Sequence, residues 1–232
     1  MKRICTSTLL IAFTLTSFAQ SNFYKLSVGA GAGITQSITE VRPWGYGFAA
    51  YGTFDYLFTP FMSLGFEVQK GEINGGDYYT EQQNRQFTNS YKTLSINGKI
   101  GLGQIMENNY SPFYNTFKGL YIGGGVGAIQ NKMKYIVRYN KNGTRIPGFN
   151  ASRDVFFPLN LGINFHFTDG MGFYRYALNV NYQGNITLRE GLDGYDNSLI
   201  TFRGGTPDIY TYLSVGLKYS FGPLGLTSKN LR

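Results

Sequence analysis

The sequence predicts an all-β fold: a closed, antiparallel, eight-stranded transmembrane β-barrel with its N- and C-termini in the periplasm. Eight stretches alternate apolar residues with small or polar ones, as expected of a strand with one face in lipid. Each stretch is close to the roughly 9–11 residues that cross a membrane obliquely. An even strand number lets an antiparallel sheet close, so that no backbone edge stays unpaired in lipid.

The composition favours a barrel over a helical membrane protein. The chain has 232 residues, of which 31 are glycine, 19 tyrosine and 19 phenylalanine, and charged residues make up 15%. After Ala19 no run approaches the roughly 20 apolar residues that a spanning helix needs. Many aromatics and glycines with few charges are typical of a barrel with aromatic girdles outside and a crowded lumen inside.

The strands are predicted element by element from this alternation. They cover residues 23–34, 46–57, 62–71, 91–102, 119–139, 154–167, 172–184 and 209–221. The third is the clearest, with Leu64 and Phe66 facing lipid and Glu67 facing the lumen. The alternation of the fifth continues through residues 133–139, which predicts that strands five and six project beyond the membrane as a ribbon with exposed edges.

The connections set the predicted topology. The links after strands two and six are short, whereas those after strands one, three, five and seven are long and are therefore expected outside the cell. The second and fourth loops, residues 72–90 and 185–208, are rich in Gly, Asn, Gln and Tyr, and recognition usually resides in such loops. The link after strand four, residues 103–118, is unusually long and is interpreted as a longer periplasmic turn, with a docking segment as the alternative.

The N-terminus carries an export signal. Residues 1–19 are predicted to be a signal peptide, with Lys2 and Arg3 ahead of an apolar stretch and a small-residue cleavage site before Gln20. Residues 20–232 then form one barrel domain, exported by the general secretory route to the outer membrane. The sole cysteine, Cys5, precedes the apolar stretch, so the mature chain is expected to have neither a disulfide nor a thiolate metal site.

Charges fall on the predicted inward faces and suggest a plugged lumen. The inward ionisable residues are Lys25, Asp55, Glu67, Lys99, Arg175 and Lys218. Because an isolated charge in a narrow lumen is costly, we expect Asp55 and Glu67 to be shared among the cations, with Glu67 and Lys99 at similar height on neighbouring strands. The alternative is a narrow hydrated channel for ions or very small solutes, lined by the same residues without functional pairing.

The sequence gives no pattern of a catalytic or metal site. The single histidine, His166, faces inward next to the short turn after strand six, and no serine is placed to complete a nucleophile and base arrangement. It is interpreted as a structural side chain, hydrogen-bonded near Arg175 or Asn164. One histidine without cysteine or a carboxylate cluster supplies no metal site, and no cofactor is predicted because the glycine-rich stretches lie within strands.

An excess of positive charge lies in the third loop and its flanks. The predicted basic loop comprises Lys132, Lys134, Arg138, Lys141, Arg145 and Arg153. Such a patch would attract lipopolysaccharide phosphates or an acidic glycan, although solvated loop charges without a partner are the alternative. Nucleic acid is not expected as a partner, because an exported protein lies in a different compartment from nucleic acid.

The final predicted strand carries a recognition pattern. Ser214, Gly216, Tyr219 and Phe221 have the order and spacing of the C-terminal signal that the outer-membrane assembly machinery recognises. With the opening strand at residues 24–33, this signal makes the chain resemble the family of small outer-membrane β-barrels that groups OmpX-like, OmpA-barrel-like and PorT-like proteins.

The resemblance implies a non-enzymatic barrel in outer-membrane lipid. Its role would be surface interaction, envelope structure or service as an accessory subunit of an export or uptake complex. Such motifs specify fold and location better than function, and neither the ligand nor a protein partner follows from them.

Overall fold

The computed structural model describes residues 21–105, 117–170, 173–189, 191–195 and 207–227. Eight antiparallel strands form a closed barrel, in which each strand pairs with the next and β8 pairs with β1, so the predicted closed, antiparallel, eight-stranded barrel is confirmed. The strands are β1 (Ser21–Ile38), β2 (Tyr46–Thr59), β3 (Met62–Gly76), β4 (Gln86–Gly101), β5 (Leu120–Ile136), β6 (Ala151–Thr168), β7 (Tyr174–Thr187) and β8 (Ile209–Thr227). The predicted signal peptide, most of the link after β4 and part of the fourth loop lie outside the described residues.

The two ends of the barrel differ in their connections. The β2–β3 and β6–β7 turns and both chain ends of the barrel lie at one end, here called the turn end, where Ser21 pairs with Thr227. The opposite, loop end carries the connections after β1, β3, β5 and β7. No helix in the described part of the chain is long and apolar enough to span a membrane.

The predicted alternation of faces is confirmed along most strands. On β3, Leu64, Phe66 and Val68 are exposed on the outside, whereas Glu67 and Gln69 are buried in the lumen. The same pattern repeats around the barrel. Further exposed apolar side chains include Val28, Ile34, Phe48, Phe54, Leu94, Ile96, Ile122, Val126, Leu159, Leu161, Tyr182, Leu213, Val215 and Leu217.

At the loop end, several strands are longer than predicted. The strands β3 and β4 stay paired from Met62–Ile100 up to Gly76–Gln86, so the connection between them is residues 77–85 rather than 72–90. Ile73 and Phe87 are buried inside this extension, and their burial explains why the strands continue. The barrel therefore rises well beyond the roughly 9–11 residues per strand that a membrane requires.

The projecting part of β5 pairs with a different neighbour than predicted. Residues Met133, Tyr135 and Ile136 pair with β4, whereas pairing with β6 ends at Lys132. The predicted ribbon of strands five and six is therefore only partly formed: β5 ends at Ile136 rather than at residue 139, and beyond it the Ile146 N–H donates to the Arg138 carbonyl and Tyr139 forms an isolated bridge with Arg145. The reason is that β4 itself starts at Gln86, five residues earlier than predicted, and offers β5 a partner.

The last strand does not end at Phe221. A register shift lies between Tyr24 and Leu26 of β1, and Gly222 opposite it has a φ of +85°, a conformation that favours glycine. The strand β8 then continues to Thr227 and pairs with the first residues of β1. Residues 222–227 therefore lengthen the seam that closes the barrel.

Candidate functional site

The turn-end half of the lumen holds a buried ion pair beside a cavity. The Lys218 Nζ donates to Asp55 Oδ2 at 2.7 Å, and both side chains are largely shielded from solvent. The Lys99 ammonium lies 5.8 Å from the centre of the Tyr121 ring in the same region. These residues, with Ser27 and others, line a cavity of about 50 Å³. A cavity of this size holds a few water molecules, since one water needs about 10–15 Å³.

The predicted sharing of charges holds for Asp55 but not for Glu67. Residue Glu67 pairs across the sheet with Ser95, whereas Lys99 pairs with Ser63, so the two charged residues are four positions apart along the strands. The expected height match between Glu67 and Lys99 is therefore wrong. A strand rises about 3.3 Å per residue, so this offset corresponds to about 13 Å.

Glu67 is held by amides instead of a cation. Its Oε1 accepts hydrogen bonds from Gln69 Nε2 at 2.6 Å and from Gln183 Nε2 at 2.9 Å. Gln69 also donates to Gln183 Oε1 at 2.6 Å, which closes a triangle around the carboxylate. Amide hydrogen bonds, instead of an ion pair, thus hold this buried carboxyl group in the lumen.

An amide network continues from this triangle across the lumen. It consists of Gln183, Asn160, Asn181, Tyr121, Asn179 and Asn164, joined in that order by hydrogen bonds of 2.8–3.1 Å. Tyr121 is the hub, because its hydroxyl donates to Asn181 and accepts from Asn179. The network fills the middle of an interior that is only wide enough for side chains in an eight-stranded barrel.

The loop-end half of the lumen is packed with aromatic and aliphatic side chains. Tyr91 and Tyr210 are fully buried with ring centres 5.2 Å apart, and Tyr51 meets Tyr212 edge to face at 6.1 Å. The Tyr51 ring lies over two inward glycines, and a Cβ at one of them, Gly31, would come within 2.6 Å of it. Glycine at that position therefore makes room for the tyrosine.

Residues 191–195 of the fourth loop form a lid over this packed half. Leu192 and Tyr195 are each 1% exposed within the loop-end core. Asp208 Oδ2 accepts from the backbone N–H groups of Gly191 and Leu192 at 3.1 and 3.0 Å, and Asn89 Nδ2 donates to the Leu192 carbonyl at 2.9 Å. The lid is thus fixed by packing and by hydrogen bonds to the barrel wall.

Ionisable groups in the lid and the second loop have shifted pKa values. Burial, together with the nearby Asp208 carboxylate, raises the pKa of Asp193 well above its usual value. For Glu81 burial acts in the same raising direction, but hydrogen bonds from Arg85 outweigh it and lower the pKa of that carboxyl. Asp193 is therefore poised to bind a proton, whereas Glu81 stays ionised.

One predicted lumen cation, Arg175, lies elsewhere. A register shift between Phe167 and Thr168 brings Arg175 out of the lumen, where its guanidinium contacts Tyr219 and Tyr24 and its Nε lies 3.0 Å from Asp169 Oδ2. The prediction that Arg175 faces inward is corrected by this bulge. Lys25 lies at the turn end, two residues before the buried Ser27 and so on the same face of β1, and it is half-buried.

His166 does face the turn-end cavity, but without the predicted hydrogen bond. Its ring lines the cavity and lies edge-on to Tyr174, with ring centres 6.4 Å apart. The side-chain oxygen of Asn164 accepts from Asn179, and Arg175 points away from the lumen. Within the described ranges, no group of three or more His, Cys, Asp and Glu residues is arranged to hold a metal ion.

The predicted basic loop is divided between the loop and the barrel wall. Arg138 donates to the carbonyls of Gly194 and Phe149 and so ties the third loop to the lid. Lys134 forms an ion pair with Glu72, and Lys141 lies 5.8 Å from the rings of Tyr78 and Tyr79. Arg145 is exposed in the third loop, and Lys132 and Arg153 are exposed on β5 and β6.

Arg153 belongs to a row of outward cations that the sequence analysis did not identify. Lys70, Lys92, Gln130 and Arg153 are successive cross-strand partners on β3, β4, β5 and β6, and are called the cationic row. The next outward row toward the turn end is apolar and consists of Val68, Leu94, Ala128 and Val155. None of the ion pairs found in the described part of the chain includes a member of the cationic row.

A cleft at the loop end was also missed by the sequence analysis. It lies between the first loop, residues 39–45, and the second loop, residues 77–85, and has a volume of about 620 Å³. Its lining residues are Glu40, Arg42, Pro43, Trp44, Thr80, Glu81, Gln82 and Arg85. Irregular loops brought together by the barrel leave no periodic signal in the sequence.

The predicted assembly signal lies on β8 as expected from its alternation. Ser214 and Gly216 are buried on the inside, whereas Tyr219 is exposed and stacks on Phe221 with ring centres 6.1 Å apart. The geometry presents the two aromatic rings on the outer surface near the turn end. Recognition of this segment by the assembly machinery stays a prediction.

No family model matches this chain, and no curated protein matches it either. Solved structures that resemble it include Neisserial surface protein A, with 12% identity over 87% of this chain and 99% of that chain and a TM-score of 0.46. The attachment invasion locus protein Ail of Yersinia pestis, in complex with the heparin analogue sucrose octasulfate, has 10% identity over 86% and 99% of the two chains and a TM-score of 0.44. The outer membrane protein OprG from Pseudomonas aeruginosa has 8% identity over 87% and 98% and a TM-score of 0.38. At these identities and scores the likenesses assign this chain no ligand and no role.

Proposed function

We propose that the chain is a non-enzymatic β-barrel of the outer membrane, with its turn end in the periplasm and its loop end outside the cell. The outside of the barrel is apolar, as Phe66, Leu94 and Leu217 illustrate, whereas the lumen holds charges and amides. This polarity is the reverse of a water-soluble domain and is typical of a barrel in lipid. Surface interaction or an envelope-structural role follows, either alone or as an accessory subunit of an export or uptake complex.

The filled lumen is the observation that carries this proposal. Tyr91, Tyr210 and Tyr212 are each at most 1% exposed, and the amide network and the lid add further layers. Close-packed protein interiors leave few voids larger than a water molecule. A barrel packed in this way is a rigid support, so its interactions are expected at the outer surface and at the loops.

The cationic row supports lipopolysaccharide as a partner. Lys70 and Lys92 are directly opposed across β3 and β4 at the edge of the apolar surface. Like charges opposed in this way destabilise a sheet unless an anion lies between them. The edge of the apolar surface is where the phosphates of outer-leaflet lipid stand, and Lys132 and Arg153 add positive charge there.

A narrow channel is the second candidate, and the turn-end cavity favours it. Asp55, Lys99 and Lys218 line a polar space that is large enough for a few waters. A conducting path would require the amide network and the tyrosines above it to move apart. Conductance therefore separates the two candidates.

The test is single-channel recording from the full chain in planar bilayers. We expect no stable unit step from the natural sequence, because the loop-end half of the lumen is packed. A Tyr91→Gly/Tyr210→Gly variant removes two buried rings from that half, and its steps would show that insertion and recording work. A stable step from the natural sequence that changes in Lys99→Gln would instead establish the channel.

The proposed orientation has its own test. A Gln82→Cys variant places a thiol in the second loop, and Gly170→Cys places one in the β6–β7 turn, where a side chain meets no neighbouring atom. A membrane-impermeant maleimide added to intact cells should label the first and spare the second. Labelling of Gly170→Cys but not of Gln82→Cys would overturn the proposed orientation. It would leave the conclusion from the single-channel recordings unchanged.

A further inference from the structure

We propose that the loop-end cleft between Arg42–Trp44 and Thr80–Arg85 is a binding site for a neutral saccharide. The proposal names a ligand for the surface role suggested above and rests on that role only for the exposure of the loops to the outside. The cleft has a volume of about 620 Å³, which lies within the roughly 300–1,000 Å³ that is usual for small-molecule sites.

The first wall of the cleft is rigid and aromatic. Trp44 Nε1 donates to the Thr39 carbonyl at 3.1 Å, and Trp44 also forms an isolated backbone bridge with Gly75 of β3. The preceding residue, Pro43, accepts a backbone hydrogen bond from Gly76 at 2.9 Å, and Val41 is fully buried beneath the loop. The indole is thus held in place while it remains 37% exposed.

The second wall is fixed by the Glu81–Arg85 fork. Glu81 Oε1 accepts from Arg85 Nε and Nη2 at 3.0 and 2.8 Å, and Glu81 Oε2 accepts from the backbone N–H groups of Gln83 and Arg85. Both residues are buried, so this wall is preorganised. Preorganisation lowers the entropic cost of binding. The neighbouring Thr80 and Gln82 are exposed and line the cleft.

The chemistry of the lining selects the class of ligand. The four charged residues are Glu40, Glu81, Arg42 and Arg85, whose formal charges cancel, so the cleft favours neither a strong anion nor a cation. The Arg42 guanidinium stacks on Trp44 at 4.7 Å, and none of the hydrogen bonds found in the described part of the chain is donated by it. Arginine, glutamine and threonine side chains beside an aromatic ring match a sugar, whose hydroxyls donate and accept and whose C–H groups can contact the part of the indole that Arg42 leaves exposed.

The same features distinguish the cleft from the cationic row. The row contains Lys70, Lys92 and Arg153 without an acidic neighbour among its cross-strand partners and suits phosphate. The cleft contains balanced charges and the only tryptophan of the chain. A sulphated or phosphorylated ligand is therefore expected at the row, and a neutral saccharide at the cleft.

The single tryptophan makes binding directly measurable. The full chain would be folded in a zwitterionic detergent without a sugar headgroup, reconstituted in dye-filled liposomes and applied to an array of neutral and acidic glycans. The best neutral binder would then be titrated against the folded protein with excitation at 295 nm, which reports on Trp44. We expect a saturable change in emission, with a dissociation constant in the micromolar to millimolar range.

Matched variants separate the cleft from general surface charge. Arg42→Ala should weaken binding at least tenfold, and Gln82→Ala, which keeps the Arg42–Trp44 stack, should weaken it several-fold. The control Arg145→Ala removes the same charge from an exposed position in the third loop and should change nothing. A folded protein that binds no neutral glycan, binds only acidic glycans or a peptide, or responds equally to Arg145→Ala and Arg42→Ala would overturn the proposal. The channel recordings do not depend on this result, so the two proposals fail separately.

Discussion

The two halves of the lumen are built on the same eight strands but from different chemistry. The turn-end half contains the Asp55–Lys218 ion pair, Lys99 and a cavity for water. The loop-end half contains buried rings such as Tyr91 and Phe87 under a lid anchored by Leu192. The buried ion pair therefore lies beside the cavity at the turn end, and aromatic and aliphatic packing dominates toward the loop end. The difference shows that an inward-facing position specifies burial, whereas the depth of that position specifies the chemistry.

The largest expected effect comes from breaking the ion pair. Lys218→Met leaves the Asp55 carboxylate, which is 2% exposed, without its hydrogen-bonded cation. We expect a loss of about 3 kcal/mol in the free energy of unfolding, because an uncompensated buried charge is costly. Urea unfolding in lipid vesicles, followed by the gel mobility of the folded barrel, measures it.

A double variant provides the control for this experiment. Asp55→Asn/Lys218→Met removes both charges and should recover most of the lost stability. Lys92→Met, which removes an exposed outward cation, should change stability by no more than about 0.5 kcal/mol. Equal effects of Lys218→Met and Lys92→Met would mean that the turn-end half does not depend on buried charge.

The lid offers a pH-dependent test of the loop-end half. Because its pKa is raised, Asp193 keeps a proton in the folded lid at pH values where the unfolded segment has already lost it. Its contribution to lid stability is therefore present at low pH and declines as pH rises above about 4, at about 1.4 kcal/mol per pH unit, until the raised pKa is reached. The nearby Arg85 opposes this trend and Glu40 strengthens it.

Hydrogen exchange measures this local opening. The protection of the Leu192 and Tyr195 amides should fall in the natural protein as the pH rises above about 4. In Asp193→Asn it should stay constant, since the amide does not titrate. Comparing the two proteins at each pH cancels the intrinsic pH dependence of exchange. Parallel curves for both proteins would rule out a role for the Asp193 proton.

A smaller effect is expected at the amide network, where the two halves meet. Tyr121→Phe removes a hydroxyl that both donates to Asn181 and accepts from Asn179, and leaves two buried amides short of a partner. We expect a loss of about 1–2 kcal/mol in unfolding free energy. Tyr51→Phe is the matched control, since the bond that its hydroxyl donates to Asn179 is longer, at 3.3 Å, and about 0.5 kcal/mol is expected. A larger loss of unfolding free energy in Tyr51→Phe than in Tyr121→Phe would contradict the assignment of Tyr121 as the hub of the network.

The sequence correctly predicted which face of a strand a side chain occupies wherever the two-residue alternation of that strand is uninterrupted. It placed Asp55, Glu67 and Lys99 on the lumen side, because alternation alone decides the face. It failed for Arg175, since a single extra residue in a β-bulge reverses the face and leaves no mark in the alternation.

Contacts between strands were harder to predict than faces. Which inward residues meet depends on register, and register depends on connections whose geometry the sequence does not specify. The β3–β4 pairing extends to Gly76 and Gln86, so the connection is shorter than its polar composition suggested. The cleft around Trp44 depends on two such connections together, which is why no local pattern indicated it.

The smallest expected effect concerns Glu67 and Lys99, whose four-residue offset the register establishes. Glu67→Gln should weaken the bonds from Gln69 and Gln183, and Lys99→Gln should alter the cavity near Asp55. Since the two sites share no hydrogen bond, the unfolding free energies of the single variants should add in the double variant to within about 0.5 kcal/mol. A coupling several times larger, measured by the same urea titrations, would mean that Lys99 reaches Glu67. The charges of the lumen would then form one plug, and the division into two halves would be lost.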